Sequence, residues 1–222
     1  MRRKQAPDST PVPQNSFADR HRAARDAVLV SQRGRLIEAM VECVYRNGYS
    51  GTTLTDIVAR ARVSRSTFYE HFANKEDCFV EAVHTGVDMV AARITEELAQ
   101  LAPDADAHAR IESIVGTFCE TVAAEPDFAR LVLVESFMVN QTAVNYRDLA
   151  VDRFAELYRL FYHQARQADP ALPEVSDELI ALLPDAIGER TRRVIVSDGP
   201  SRVPELAPLF VHFVSTTLGL SA

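Results

Sequence analysis

The chain lacks the hydrophobic stretches that a membrane or secreted protein needs. Nowhere do 18 or more apolar residues run together, so no membrane-spanning helix is expected. Residues 1–14 begin with basic side chains but have no apolar segment behind them, which argues against a secretory signal. The three cysteines, Cys43, Cys78 and Cys119, are an odd number and form no CxxC pair. This usage predicts buried free thiols in the reducing cytoplasm.

Motifs for catalysis and metal binding are also missing. The six histidines are dispersed, without an HExxH motif or a pair at metal-ligand spacing. There is no glycine-rich phosphate loop and no GxSxG nucleophile elbow. A metal site shared by His71 and Cys78 is a remote alternative. We therefore expect no catalytic residues, no metal and no cofactor, and a protein that is not an enzyme.

Charge is divided unevenly along the chain. Residues 1–75 contain 13 Lys and Arg against 7 Asp and Glu, whereas residues 76–222 contain 11 against 24. The first part therefore carries a net charge of +6 and the second −13. A basic head on an acidic body suits a head that binds a polyanion, although ordinary surface scatter is the alternative.

Apolar residues at helical spacing recur along the chain, and no segment favours a strand, so the predicted fold class is all-α. Residues 1–30, with three prolines and the basic Arg20, Arg22 and Arg25, are predicted to be a disordered basic N-terminal arm. This arm either touches DNA or is a solvated leader. We predict two domains, a head at 31–76 and a helical body at 77–222. Predicted helices cover 32–47, 74–101, 107–124, 128–140, 143–167, 177–197 (kinked at Pro184) and 204–219.

The segment 53–72 predicts two short helices joined by a tight turn. Thr53 and Asp56 have the spacing of a helix N-cap and its acidic partner, and Ser64 is a second N-cap only three residues after the first helix. Two short helices with so tight a connection form a helix-turn-helix. The outward side chains of the second helix are mostly hydrogen-bonding groups, which suit phosphates and base edges.

Residues 48–79 resemble the DNA-binding domain of TetR-family transcriptional regulators. The resemblance rests on Gly48 and Tyr49, Thr53, the segment 57–63, and the group Thr67, Phe68, Tyr69, Phe72 and Lys75. Arg62 and Ser66 stand where the family commonly has glycine. The first departure concerns the left-handed residue of the turn, and the second adds a side chain that faces DNA.

The outward face and the resemblance together indicate the residues that contact DNA. Arg65 is the candidate for reading bases, because bidentate contact of arginine with guanine is the commonest specific contact. Lys75 is expected to bind a phosphate at a helix N-terminus. The full predicted DNA-binding set is Thr53, Ser64, Arg65, Ser66, Thr67, Tyr69, His71 and Lys75.

The resemblance also implies a cavity for an effector among the central helices of the body. The predicted lining residues are Phe118, Glu135, Phe137, Met138, Phe154, Tyr158 and Tyr162. Two alternatives stay open: the aromatic residues are ordinary core, and Glu135 pairs with an arginine such as Arg130, Arg153 or Arg190.

The last two helices, at about 177–197 and 204–219, are expected to form a homodimer through a four-helix bundle, as the resemblance implies. The apolar residues available for this face are Leu182, Leu183, Phe210, Phe213, Val214 and Leu218.

The predicted function is a cytoplasmic, sequence-specific DNA-binding transcriptional regulator. The resemblance implies a repressor that a small apolar or amphipathic ligand releases from a palindromic operator in double-stranded DNA. The alternatives are a ligand-blind architectural DNA-binding protein, whose body would lack a cavity, and an enzyme with a vestigial DNA-binding head.

Overall fold

The computed structural model describes residues 31–220, all of whose regular structure is helical. The predicted N-terminal arm at 1–30, with Arg20, Arg22 and Arg25, lies outside the described residues. Nine α-helices follow one another: α1 Gln32–Gly51, α2 Leu54–Ala61, α3 Arg65–His71, α4 Lys75–Gln100, α5 Ala107–Ala124, α6 Pro126–Leu133, α7 Gln141–Ala168, α8 Asp177–Ser197 and α9 Ala207–Leu218. Two 3₁₀ segments, Glu135–Met138 and Pro200–Leu206, precede α7 and α9. The all-α prediction is confirmed for the part of the chain described.

Local sequence signals set the ends of the first helices. Gly48 interrupts α1 with φ 70° and ψ 164°, a conformation that is almost confined to glycine. Thr53 and Asp56 form the predicted capping box of α2, and the Ser64 side chain accepts from the Thr67 amide to cap α3. Between α2 and α3 the chain turns through Arg62, which adopts the left-handed conformation with φ 55° and ψ 48°. Arginine therefore occupies the turn position where glycine is usual.

Helix α4 joins the two halves of the molecule. Asn74 caps it by accepting from the Asp77 amide, and its 26 residues are about 39 Å long at the helical rise of 1.5 Å. Its first half packs in one hydrophobic core with α1, α2 and α3, while Ile94 packs in a second core with α5, α7, α8 and α9. The predicted domain boundary at 76 and 77 falls within this unbroken helix and stays a prediction.

The predicted helix at 128–140 is wrong. Helix α6 ends at Leu133, because Val134 leaves the helical conformation with φ −120° and ψ −57°. A 3₁₀ segment then carries Glu135 towards α1, where the carboxylate accepts from the Tyr49 amide. By contrast, α8 continues through Pro184 as one helix from Asp177 to Ser197.

The three cysteines are free and buried, as predicted. Burial raises the pKa of the Cys78 thiol far above its ordinary value and that of Cys119 to about 12. Both side chains therefore stay neutral and pack as small apolar groups. Within residues 31–220 no helix is both long enough and apolar enough to cross a membrane.

We expect Arg62→Gly to raise the free energy of unfolding by about 0.5–1 kcal/mol. The left-handed conformation costs a residue with a Cβ atom about 1–2 kcal/mol, and the greater flexibility of glycine in the unfolded chain offsets part of the gain. Urea unfolding of the two proteins measures the difference. Arg62→Ala is the control, because alanine retains the Cβ atom and brings no such gain. Equal or lower stability of the glycine variant would contradict the assignment of strain to this residue.

Candidate nucleic-acid interface and body cavity

Helix α3 presents a polar face to solvent. Phe68 is fully buried and packs against Phe72, with ring centroids 5.7 Å apart, so these two residues anchor the helix on the head. Arg65, Ser66 and Tyr69 are exposed on the outer side. Since the apolar side of a seven-residue helix is fixed inward, the outer side is held in a constant orientation. It could enter a DNA groove without rearranging the core.

Three hydroxyl groups meet at the start of α3. Ser64 Oγ lies 2.6 Å from Ser66 Oγ and 2.9 Å from Thr67 Oγ1, and it also accepts from the Thr67 amide. Ser64 therefore acts first as a helix cap. The capping role of Thr53 is similar, because its hydroxyl oxygen accepts from the Asp56 amide at 3.2 Å. DNA contacts by these residues stay predictions.

Lys75 has a structural role that its sequence position did not reveal. Its Nζ donates to the carbonyl oxygens of Tyr49 at 2.9 Å and Thr52 at 2.8 Å, and lies 3.9 Å from the centre of the Tyr49 ring. Partial burial lowers the pKa of this ammonium group. Two of its three N–H groups are thus engaged within the head, which leaves one for the predicted phosphate contact.

His71 is less accessible than the other predicted contacts. It is half-buried, and its Nε2 is enclosed with no hydrogen-bond partner among the described residues. That nitrogen cannot reach a phosphate in this conformation. A DNA contact through His71 would need its ring to turn outward.

The body contains a cavity of about 650 Å³, which is within the range typical of small-molecule sites. It lies between α4, α5, α6, α7 and α8, and aliphatic and aromatic side chains form most of its wall. Along α4 the lining extends from Gly86 to Leu98, about 18 Å at the helical rise per residue. The shape therefore suits an elongated apolar group.

Three of the seven predicted pocket residues line this cavity: Phe118, Phe154 and Tyr158. The rings of Phe118 and Phe154 meet edge to face, with centroids 5.6 Å apart. The other four, Glu135, Phe137, Met138 and Tyr162, are not in the cavity wall, and the prediction for them needs correction.

The four misplaced residues have other contacts. Phe137 and Met138 are 45% and 73% exposed, because the end of α6 at Leu133 turns them to the surface. The Tyr162 hydroxyl donates to the Pro173 carbonyl at 2.6 Å and accepts from the Val175 amide at 2.8 Å, so it fixes the α7–α8 loop. Glu135 lies 3.5 Å from Arg130 Nε, which is the ion pair considered as its alternative role.

Sequence reasoning missed the charged groups that do line the cavity. Glu125 lies 3.0 Å from Arg93, and both side chains are almost completely buried. Arg147 and Arg153 of α7 also contribute to the wall. The Arg153 side chain is 57% exposed and pairs with Asp88 at 3.3 Å, so this arginine lies where the cavity opens to solvent. Charged residues are usually exposed, so the sequence did not indicate that these charged side chains line a cavity.

An exposed apolar surface extends over α8 and α9. Of the residues predicted for a dimer face, Leu183, Phe210, Val214 and Leu218 are instead buried within the body. The large apolar side chains of these two helices that remain exposed are Leu179, Leu182, Val196, Leu209 and Phe213.

The molecule combines a helix-turn-helix head with one helix that continues from it into the wall of a body cavity. Residues 36–82 match the family of bacterial regulatory proteins described as the tetR family. This match covers the helix-turn-helix head and the first part of α4.

Comparisons with individual proteins are consistent with this match. The chain is 37% identical over 86 residues to the transcriptional regulator AcuR of Cereibacter sphaeroides, a match that covers 39% of this chain and 38% of AcuR. It thus spans less than half the length of this curated relative. The fold resembles that of Bacillus subtilis FadR in complex with stearoyl-CoA, with a TM-score of 0.70, 16% identity, and coverage of 81% of this chain and 96% of FadR. It also resembles AibR in complex with isovaleryl coenzyme A and operator DNA, with a TM-score of 0.63, 17% identity, and coverage of 82% and 97%.

We expect Lys75→Met to lower the free energy of unfolding by about 1–3 kcal/mol, because two hydrogen bonds from a charged donor are lost. Urea unfolding measures this change. Arg65→Ala is the control: its side chain projects into solvent, so we expect a change within about 0.5 kcal/mol. An unaltered unfolding midpoint for Lys75→Met would show that the two carbonyl contacts contribute nothing to stability.

Proposed function

We propose that the protein is a sequence-specific transcriptional regulator that binds operator DNA as a homodimer and releases it when a ligand fills the body cavity. The observation that carries the proposal is α4, which packs against α1–α3 at one end and forms the wall of the cavity at the other. Such a helix couples the two sites mechanically. Because it acts on DNA, the protein would function in the bacterial cytoplasm.

The polar face of α3 supports the DNA-binding part of the proposal. Arg65 is exposed at the start of the helix, where a recognition helix usually approaches base edges. Ser66 and Tyr69 are exposed beside it and are suited to phosphate or base contacts. The basic charge of residues 1–75 would attract the DNA backbone.

The exposed apolar residues of α8 and α9 support the homodimer. Leu182 and Leu209 are both more than half exposed, which is costly for leucine unless a partner covers it. A two-fold arrangement of these helices would place two α3 helices on one side of the assembly. Two such helices read half-sites in successive major grooves, about 34–36 Å apart.

The cavity supports a ligand that combines an apolar chain with an anionic head group. Its wall is mostly apolar and carries two arginines, Arg147 and Arg153, and two glutamates, Glu125 and Glu156, with Arg153 at the opening. The buried Glu125 is already paired with Arg93. FadR and AibR, which share this fold, bind acyl-CoA molecules. We therefore favour an acyl-CoA or a related acyl compound as the ligand, and repression as the mode of regulation.

The cavity also bears on the two other functions considered. A ligand-blind architectural protein needs no cavity of this size, so the observed one favours a ligand-responsive protein. The wall residues Glu125 and Arg153 are held in ion pairs with Arg93 and Asp88, which does not favour an acid–base role in catalysis for them.

Selection of bound sequences from random DNA tests the DNA-binding function. We expect an approximately palindromic site, and we expect Arg65→Ala to relax the preference at particular base pairs at a cost of about 1–3 kcal/mol. Arg202→Ala removes one positive charge from the body and is the control for charge alone. Equal weakening of specific and random DNA by Arg65→Ala would exclude base reading by this residue.

Blocking the cavity tests the ligand. Ala91 lines the cavity, whereas the adjacent Ala92 is exposed on the same helix and is not in the wall. We expect Ala91→Phe to weaken binding of stearoyl-CoA at least tenfold in calorimetric titration, and Ala92→Phe to bind as the unaltered protein does. Thermal unfolding checks that both variants fold, since an added ring strains a packed site. Equal affinities would place the ligand elsewhere.

A further inference from the structure

We propose that Glu135 is the residue through which the cavity controls the DNA-binding head, by means of its hydrogen bond to the Tyr49 backbone. This inference rests on the proposed function and specifies the contact that transmits the ligand signal. Glu135 Oε2 accepts from the Tyr49 amide at 3.1 Å across 86 residues of sequence. It thus joins the body directly to the last turn of α1, which follows the break at Gly48.

The accepting carboxylate is nearly buried and is held in place. Glu135 is 9% exposed, and Arg130 Nε lies 3.5 Å from Oε1. A buried carboxylate is costly unless it is paired and hydrogen-bonded, so loss of the Tyr49 amide would leave it undersatisfied. The interaction therefore has two distinct states, made or broken.

Tyr49 is the point at which the head is held from two sides. Its amide donates to Glu135 of the body, while its carbonyl accepts from Lys75 Nζ of α4. Its ring packs edge to face on Phe79, with centroids 4.9 Å apart. Four residues later, Thr53 caps α2, the first helix of the helix-turn-helix. The position of Tyr49 thus influences the position of the DNA-binding helices.

Helix α6 connects Glu135 to the cavity. Phe128, Val132 and Leu133 of this eight-residue helix line the cavity wall. The Ser136 hydroxyl donates to the Val132 carbonyl at 2.6 Å, so the 3₁₀ segment that carries Glu135 is bound to the end of α6. Displacement of α6 consequently displaces Glu135.

The N-terminus of α6 is anchored to α4 instead. Glu125, which precedes the helix, pairs with Arg93 of α4 at 3.0 Å. Helix α6 therefore spans from α4 to the head with a charged contact at each end and the cavity along one side. A ligand that pushes α6 outward moves Glu135 away from Tyr49 and frees the last turn of α1, which leads into α2. The helix-turn-helix then loses the support that fixes its orientation for DNA.

Hydrogen exchange of the Tyr49 amide tests the contact without reference to any ligand. We expect at least tenfold faster exchange in Glu135→Ala than in the unaltered protein. In Glu135→Gln we expect most of the protection to remain, because the amide side chain keeps an oxygen acceptor. Glu120→Ala removes an exposed carboxylate from α5 and serves as control. Unaltered exchange of the Tyr49 amide in Glu135→Ala would overturn the proposal. If Glu135→Ala does not fold, Glu135→Gln decides instead: complete loss of Tyr49 protection together with unchanged release of operator by the ligand would overturn the proposal.

Operator affinity with and without stearoyl-CoA tests the transmission, with free coenzyme A as the ligand control. We expect stearoyl-CoA to weaken operator binding of the unaltered protein and of Glu120→Ala, and to have less than a third of that effect on Glu135→Ala. A purely structural Glu135 would lower the unfolding temperature but leave the ligand effect intact, which would refute the proposal. Failure of the unaltered protein to bind operator or stearoyl-CoA would instead refute the proposed function, and the exchange experiment would still decide the contact.

Discussion

Helix α4 is constrained because it belongs to two hydrophobic cores. Cys78, Phe79 and Val83 pack with the helix-turn-helix, and Ile94 packs with the body. A continuous helix transmits rotation and translation along its axis, since bending it would break backbone hydrogen bonds. The head therefore cannot take an arbitrary orientation relative to the body. Helix α6 also belongs to both cores, through Phe128 and Leu131 on the head side and Ala129 on the body side.

Buried charges stabilise the junctions between elements. Arg93 with Glu125, Glu135 with the Tyr49 amide, and Lys75 with two carbonyls each join segments distant in sequence. Contacts of this kind contribute little net stability compared with apolar packing, but leaving one partner alone is costly. They consequently favour one arrangement over nearby alternatives. A protein that switches between two states needs contacts that break completely.

The accuracy of sequence-based prediction here depended on the range of the interaction. The Thr53–Asp56 capping box and the caps at Ser64 and Asn74 involve residues three apart, and all were predictable. Glu135 was placed on a helix because its partner, Tyr49, lies 86 residues away and leaves no local pattern. Tyr162 was assigned to a pocket because an aromatic side chain looks the same in a cavity wall and beneath a loop. Phe118, Phe154 and Tyr158 line the body cavity, and they lie on helices whose inward faces the apolar spacing made clear.

The packing of α6 on Gly86 makes its freedom of movement one-sided. A Cβ atom at position 86 would lie only 2.8 Å from Val132 Cγ2 and 3.1 Å from Phe128 Cδ1, so the two helices are already at contact distance. At this contact repulsion rises steeply on further approach, whereas separation costs a gradual loss of dispersion and apolar burial. Leu131 of α6 also packs in one core with α1. At the Gly86 contact, movement of α6 away from α4 therefore costs less than movement towards α4. Thermal fluctuations alone would widen the cavity more readily than they would close it.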